Sequence, residues 1–203
     1  MYLVVRRGAI EELDPLGQLA GAAAVACLRE FADSHAEAIA AWTPRPGKVV
    51  LRARSPSHWA RVLEEPHAGD DEVVVALPPR RRSERGDALT RLQAMSTELV
   101  PAPPDGRGPV TYALNPRARM STGKTLAQIA HGAVMAADDD EWVRAGCPAR
   151  VIAPGEAAFD ALTGTPECVA EVRDAGLTEV PPGTITVRVL RRRSRSAPGS
   201  TSA

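Results

Sequence analysis

The stretch whose reading decides the fold is Met120-Ser-Thr-Gly-Lys-Thr-Leu-Ala-Gln-Ile-Ala-His131. Ser121 or Thr122 can cap a helix, because a side-chain oxygen at that point accepts one of the free N–H groups of the first turn. Beyond it, Leu126, Ile129, Ala130, Ala133, Val134 and Ala137 recur at helical spacing and predict a buried stripe reaching about Ala137. Opposite the stripe stand Lys124, Gln128 and His131, at i, i+4 and i+7, aligned on one face from the first turn onward. A helix N-terminus carries about half a positive charge, so a lysine there is disfavoured unless an anion sits close by. Lys124 and the free N–H groups are therefore expected to form a phosphate or oxyanion pocket; the plain alternative is a surface helix whose polar face carries these three residues. Gly123-Lys124-Thr125 also invites a nucleotide-loop reading. That pattern requires glycine at position 118, where the chain has Ala118.

Working outward, Val110–Leu114 is an apolar run that predicts a strand before the helix, ended by Asn115-Pro116. After it, Gly146-Cys147-Pro148 is a break. Arg150–Ala153 predicts a strand, Glu156–Leu162 a short helix, and Cys168–Arg173 and Thr184–Leu190 two further strands. Between these last strands runs Asp174-Ala-Gly-Leu-Thr-Glu-Val-Pro-Pro-Gly-Thr-Ile-Thr186. Asp174 is placed at the C-terminal end of a strand, where α/β folds carry functional groups. Gly176 and Pro182-Gly183 are turn signals. Thr178 and Thr186 are expected to present hydroxyls near the carboxylate, while an ordinary loop with Asp174 as a turn residue is the alternative.

Upstream, Pro/Gly-rich residues 101–108 read as a linker and 194–203 as a disordered tail. Residues 1–100 predict a strand at Tyr2–Arg6, one long alanine-rich helix from about Pro15 to Ala41, and a strand at Lys48–Ala53. Next come a helix capped by Ser55, a strand at Val73–Leu77 and a helix over 84–99. Both halves thus run strand, helix, strand, helix, strand, which predicts an internal duplication.

The chain has 203 residues, with 25 basic and 25 acidic side chains, 44% hydrophobic residues and three cysteines. That is an ordinary globular balance, which excludes membrane-spanning, disulfide-scaffold and fully disordered classes and favours a reducing compartment. Zero net charge advertises no polyanion partner, although Arg80–Arg82 with Arg85, and Arg191–Arg193 with Arg195, form basic runs. The only lysines are Lys48 and Lys124, so arginine serves wherever charge alone suffices.

Together the two stretches resemble the type-two peptidyl-tRNA hydrolases, the archaeal and eukaryotic class. Met120, Gly123, Lys124, Ala127, Gln128 and His131 match the family's first motif, and Asp174, Ala175, Gly176, Thr178, Pro182, Gly183 and Thr186 its second. The resemblance covers about 110–190. It implies a mixed four-stranded sheet flanked by helices, commonly a homodimer. It also implies a cytoplasmic role in translation: hydrolysis of the ester joining a peptide to the 3′ ribose of tRNA, with no metal or cofactor and no membrane partner. Lys124, His131, Asp174, Thr178 and Thr186 would be catalytic, and Gly123 and Gln128 would bind substrate.

The chain departs from the pattern at Leu177, where the family often has a basic residue, and at Ile152, where it tends to have lysine. The family's closing helix is missing as well. Fewer cations weaken phosphate binding, which defines an alternative: a catalytically impaired tRNA- or RNA-binding or scaffold protein that retains the fold. A third reading is a structural partner docking through the alanine-rich first helix.

In residues 1–100, matching Gly17 to Gly123 sets Gln18, Ala22 and Val25 where Lys124, Gln128 and His131 stand; matching Gln18 to Gln128 sets Asp14 and Gly21 at the lysine and histidine. Either way both are gone. The expected architecture is therefore two tandem peptidyl-tRNA-hydrolase-like α/β units forming an intramolecular pseudo-dimer. Residues 1–100 are the degenerate repeat, 101–108 the linker and 109–193 the active unit, giving a monomeric pseudo-dimer or a homodimer. Arg52 and Arg80–Arg82 would lend charge to tRNA, or Arg80–Arg82 would be a solvated edge.

Overall fold

A computed structural model describes residues 1–192; the expected tail, with Arg193 and Arg195, lies outside the described residues. The N-terminal part runs β1 (Tyr2–Arg6), α1 (Leu13–Glu30), α2 (Ala36–Trp42), β2 (Val49–Ala53), α3 (Pro56–Leu63), β3 (Ala68–Asp70) and β4 (Val74–Leu77). It closes with a short 3₁₀ turn, α4 (Gly86–Thr90) and β5 (Gln93–Ala94). The C-terminal part repeats the main order: β6 (Val110–Leu114), α5 (Thr122–Met135), α6 (Asp140–Arg144), β7 (Ala149–Ile152), α7 (Glu156–Asp160), β8 (Cys168–Arg173) and β9 (Ile185–Arg191).

Four strands of the first sheet have counterparts in the second, and β5 has none. The first has the order β3-β4-β1-β2-β5 and the second, written in the same sense, β8-β9-β6-β7. β1 is parallel to β2 and antiparallel to β4, as β6 is parallel to β7 and antiparallel to β9. A small detail recurs too: the Trp42 indole N–H donates to the Gly47 carbonyl at 2.7 Å and that of Trp142 to the Pro148 carbonyl at 2.9 Å, each just before the parallel strand. The chain is thus an α/β protein with mixed sheets flanked by helices, and its second sheet has the four-stranded mixed form that the resemblance implies.

Helices α1 and α5 lie side by side between the two sheets. Helix α1 packs on β3 and β4 of its own sheet and also on β7; α5 packs on β8 and β9 and also on β2. Leu126, Ala127 and Ala130 of α5 join the core under the first sheet, and Val25 of α1 joins that under the second. The helices close tightly at Gly17, where a Cβ would stand 2.8 Å from Val151 Cγ2 and 2.9 Å from Ile129 Cδ1. The outer faces are covered by α3 and α4 on one side and by α7, through Phe159, on the other.

Polar contacts join the halves at the helix ends. Asp14 accepts the free N–H of Val151 at 2.7 Å and pairs with Arg150 at 3.0 Å; the Gly123 N–H donates to the Met95 carbonyl at 3.1 Å. Arg29 pairs with Asp140 at 2.6 Å, so part of the acidic stretch Asp138-Asp139-Asp140-Glu141 belongs to this seam.

Several expected elements are corrected. The long first helix is two, α1 and α2, separated at 31–35, where Asp33 and Ser34 can compete for backbone hydrogen bonds. Its alanine-rich face is no docking surface, since Ala20, Ala23 and Ala24 are buried. The helix over 84–99 is replaced by α4 and β5. Leu92 belongs to the outer core and Met95 to the inner one, so the chain passes from one face of the sheet to the other, extending beside β2. The segment 101–108 is irregular but tied in: Ala102 is buried and the Pro103 carbonyl accepts the Ala153 N–H at 2.8 Å.

Candidate active site

Ser121 takes the extended conformation of a helix cap, and its hydroxyl accepts the Lys124 N–H at 3.3 Å. The carboxylate of Glu179 receives the Ser121 N–H at 2.6 Å and the Ser121 hydroxyl at 2.8 Å. The anion at this helix start is therefore supplied by the chain itself. That corrects the pocket expected from free N–H groups, because those of Gly123 and Lys124 are already engaged. Gly123 is required by packing: a Cβ would lie 2.6 Å from the Met95 carbonyl oxygen. Its expected part in binding substrate through its N–H is not available, since Met95 takes that hydrogen.

With the backbone end closed, the lysine side chain makes the site. Lys124 Nζ pairs with Asp174 Oδ2 and donates to Thr178 Oγ1 at 3.1 Å. Asp174 is held from three more directions. Its Oδ2 accepts from Gln128 Nε2 at 2.9 Å, its Oδ1 from the Gly176 N–H at 2.8 Å, and its own backbone bonds Thr184 and Gly183 at 2.9 and 2.8 Å. The turn requires Gly176, whose φ is +76° and where a Cβ would lie 2.5 Å from Pro182 N, leaving no room for a side chain.

Burial alone would raise the Asp174 pKa. The Lys124 hydrogen bond, the Gly176 N–H, the Lys124 charge and Gln128 together outweigh it, so the carboxyl is held below its ordinary value and ionised at neutral pH. An ammonium has three hydrogens and two are spent on Asp174 and Thr178, leaving one N–H for a substrate oxygen.

Thr186 is fully buried. Its hydroxyl lies 2.8 Å from Gln128 Oε1 and 3.1 Å from the Val172 carbonyl. The expectation that both threonines stand by the carboxylate is thus corrected: Thr178 touches the lysine, and Thr186 reaches Asp174 only through Gln128. Gln128 is itself buried and engaged at both ends, so it orients Asp174 rather than facing a substrate.

His131 lies two turns along the same helix face, half-buried, with a pKa lowered to about 4, first by burial and then by the charge of Lys48, against an opposing pull from Asp174. It makes no hydrogen bond to Lys124, Gln128 or Asp174. Arg52 stands outside the cluster, its guanidinium given to Thr97. In the basic run, Arg80 is engaged with Glu65 at 2.9 Å, while Arg81 and Arg82 are exposed.

The sequence reading missed Glu179, Met95 and Lys48. Glu179 follows Thr178 directly, and an acid able to close on a helix start is a signal a reader could use. Among the described residues no group of three or more His, Cys, Asp or Glu side chains is placed to hold a metal ion. No helix among them is long and apolar enough to cross a membrane.

Fold and site together define an α/β protein with a lysine–carboxylate centre between a helix start and a strand-connecting loop. The chain is similar to a peptidyl-tRNA hydrolase of Thermococcus onnurineus (strain NA1), 39% identical over 84 residues that cover 70% of that protein and 34% of this chain. No family model and no solved structure matches it. The chain belongs to the peptidyl-tRNA hydrolase family.

Proposed function

We propose that the protein is a type-two peptidyl-tRNA hydrolase of the cytoplasm, working as an intramolecular pseudo-dimer. Residues 109–192 form the acting unit, 101–108 connect, and residues 1–100 are a catalytically dead copy that takes the place of a second subunit. The observation that carries the reading is the Lys124–Asp174 pair, which joins the two motifs in space. Supporting the duplication are the shared order and direction of four strands and the repeated tryptophan–carbonyl bond.

In this reading Asp174 positions a water against the ester carbonyl and takes one of its protons as the oxygen attacks. The remaining N–H of Lys124 stabilises the developing oxyanion. The 3′ ribose oxygen leaves with the proton held by Asp174, and the peptide is released as an acid. Thr178 steadies the ammonium, and Gln128 and Thr186 fix the carboxylate. Water and these side chains suffice for the scheme.

The test is release of peptide from an N-blocked aminoacyl-tRNA by the full chain. Lys124→Ala and Asp174→Ala should each lower the rate by about 10²–10⁴. Folded wild type that turns over no faster than Lys124→Ala rejects the reading. One observation favours the alternative of an impaired RNA-binding protein: Leu177 is 86% exposed and Ile152 is buried, so neither family cation is replaced at its place. Salt-sensitive tRNA binding without hydrolysis would establish it.

A further inference from the structure

The loop between β8 and β9 brings Asp174 and Thr178 to Lys124, and its base and its tip are held differently. Backbone closes the base. The Asp174 N–H donates to the Thr184 carbonyl at 2.9 Å, the Gly183 N–H to the Asp174 carbonyl at 2.8 Å and the Thr184 N–H to the Pro181 carbonyl at 3.2 Å. The tip has no such support. Among the described residues Leu177, Thr178, Glu179 and Val180 make no backbone–backbone hydrogen bond, and the first three are exposed. Val180 is buried; beyond it, the tip is tied down by the side chains of Thr178 and Glu179, both on the first turn of α5.

The two ties hold the same residue. Thr178 Oγ1 accepts from Lys124 Nζ at 3.1 Å. The Glu179 carboxylate takes the N–H and the hydroxyl hydrogen of Ser121, at 2.6 and 2.8 Å, and the Ser121 oxygen accepts the Lys124 N–H at 3.3 Å. A hydroxyl has one hydrogen; with that given to Glu179, a lone pair of the Ser121 oxygen is left for the helix. Neighbouring loop residues thus grip Lys124 at its ammonium and, through Ser121, at its backbone. A carboxylate suits the place, since two donors need two acceptor oxygens and a helix start favours negative charge. Glu179 and Ser121 are both exposed, so water can replace their contact and the fold loses little with it. The N-terminal half has no counterpart: β3 and β4 are joined by a short turn, and α1 begins without a side-chain cap.

We propose that Glu179 is a positioning residue of the site: it latches the tip of the loop to the start of α5, so that Thr178 stays on the Lys124 ammonium and the third N–H of that ammonium points one way. A lysine head on its four-carbon stem turns freely about a single partner. Asp174 and Thr178 together stop that rotation, and Glu179 keeps Thr178 in reach. That the third N–H meets an ester carbonyl rests on the hydrolase reading; the latch itself does not.

The test compares Glu179→Ala, Thr178→Ala and the double variant of the full chain in peptide release from an N-blocked aminoacyl-tRNA. Glu179→Ala should lower kcat about tenfold and leave KM within about twofold, because a misdirected donor weakens the transition state more than binding. Glu179→Gln, whose single amide oxygen accepts one of the two donors, should recover kcat to about a third of wild type. The double variant should be no more than about twofold slower than Thr178→Ala, since both changes act through one hydroxyl. NMR order parameters of 177–179 should fall to about 0.6 in Glu179→Ala, while those of Asp174 and Gly183 stay near about 0.85. Unchanged kcat in Glu179→Ala, losses that multiply in the double variant, or order parameters equal to wild type overturn the proposal, as does a Glu179→Ala chain that no longer folds. Unchanged kcat beside an active wild type leaves the hydrolase reading intact. A loosened tip in a protein that hydrolyses nothing keeps the latch and overturns that reading instead.

Discussion

In the C-terminal half the central helix begins at a Ser121 cap and turns Lys124 and Gln128 onto Asp174. In the N-terminal half the central helix begins without a side-chain cap and turns Asp14 onto the neighbouring sheet, where it ties down the edge of β7. The strands beneath are arranged alike. What differs most is the connection between the two antiparallel strands at one edge of each sheet. Between β3 and β4 it is the short turn Asp71–Val73, while between β8 and β9 it is long enough to carry Asp174, Gly176, Thr178 and Glu179. The chemistry therefore depends on a loop and one helix face, and the sheet alone does not determine it.

The strongest way to sharpen this comparison is to change the same helix turn in both halves. Lys124→Ala should cost the ~10²–10⁴ in rate given above, whereas Asp14→Ala should leave kcat alone and lower stability by about 1 kcal/mol, as expected for a lost backbone–carboxylate bond. A similar loss of kcat from Asp14→Ala would show that the halves share one active centre.

Next in size is the helix crossing. Gly17→Val forces new methyl groups against Val151 and Ile129, at about 1–3 kcal/mol in a denaturant titration. Because the contact joins the halves, they should unfold in one transition. Two separated transitions would mean that they are independent.

Thr186→Val removes the hydroxyl at Gln128 Oε1 inside the core. An unsatisfied buried amide costs about 1–3 kcal/mol, and a freed Gln128 should lower kcat with little change in KM. Steady-state kinetics on the folded variant read this directly.

The remaining comparison is of pH dependence. Folding depresses His131 from 6.5 to about 4 and Lys48 from 10.5 to about 7, each mainly through burial. The unfolded chain then holds more protons between those values, so stability rises with pH from about 4 to 6.5 and again from about 7 to 10.5. Melting temperatures measured from pH 7 to 8.5 should climb in wild type and stay flatter in Lys48→Met; above about 9 the buried thiols of Cys27 and Cys147, raised to about 12 and about 11, act in the opposite sense. Parallel curves would remove Lys48 from the account.

Much of this was legible from side-chain periodicity. The stripe from Leu126 to Ala133 gave α5 its position and facing, and Asp174-Ala-Gly its turn, because helical spacing and a glycine needing positive φ are local properties. The fate of residues 84–99 was not legible: Leu89, Leu92 and Met95 fit a helix by spacing, but β2 needed an edge partner and the chain extended beside it. Strand β3, the tripeptide Ala68-Gly69-Asp70, has no alternation to read. At the site, residue types were readable and partners were not. Nothing local says that Glu179 closes the helix start or that Thr186 serves Gln128.

The seam between α1 and α5 has one further consequence. When two identical chains meet, every substitution is introduced twice, and a change that helps one copy may harm its mirror image. Here the two sides are encoded separately, so each can carry residues that the other lacks. Tethering also makes the association independent of concentration, so the seam holds at dilutions where a pair of separate subunits would come apart.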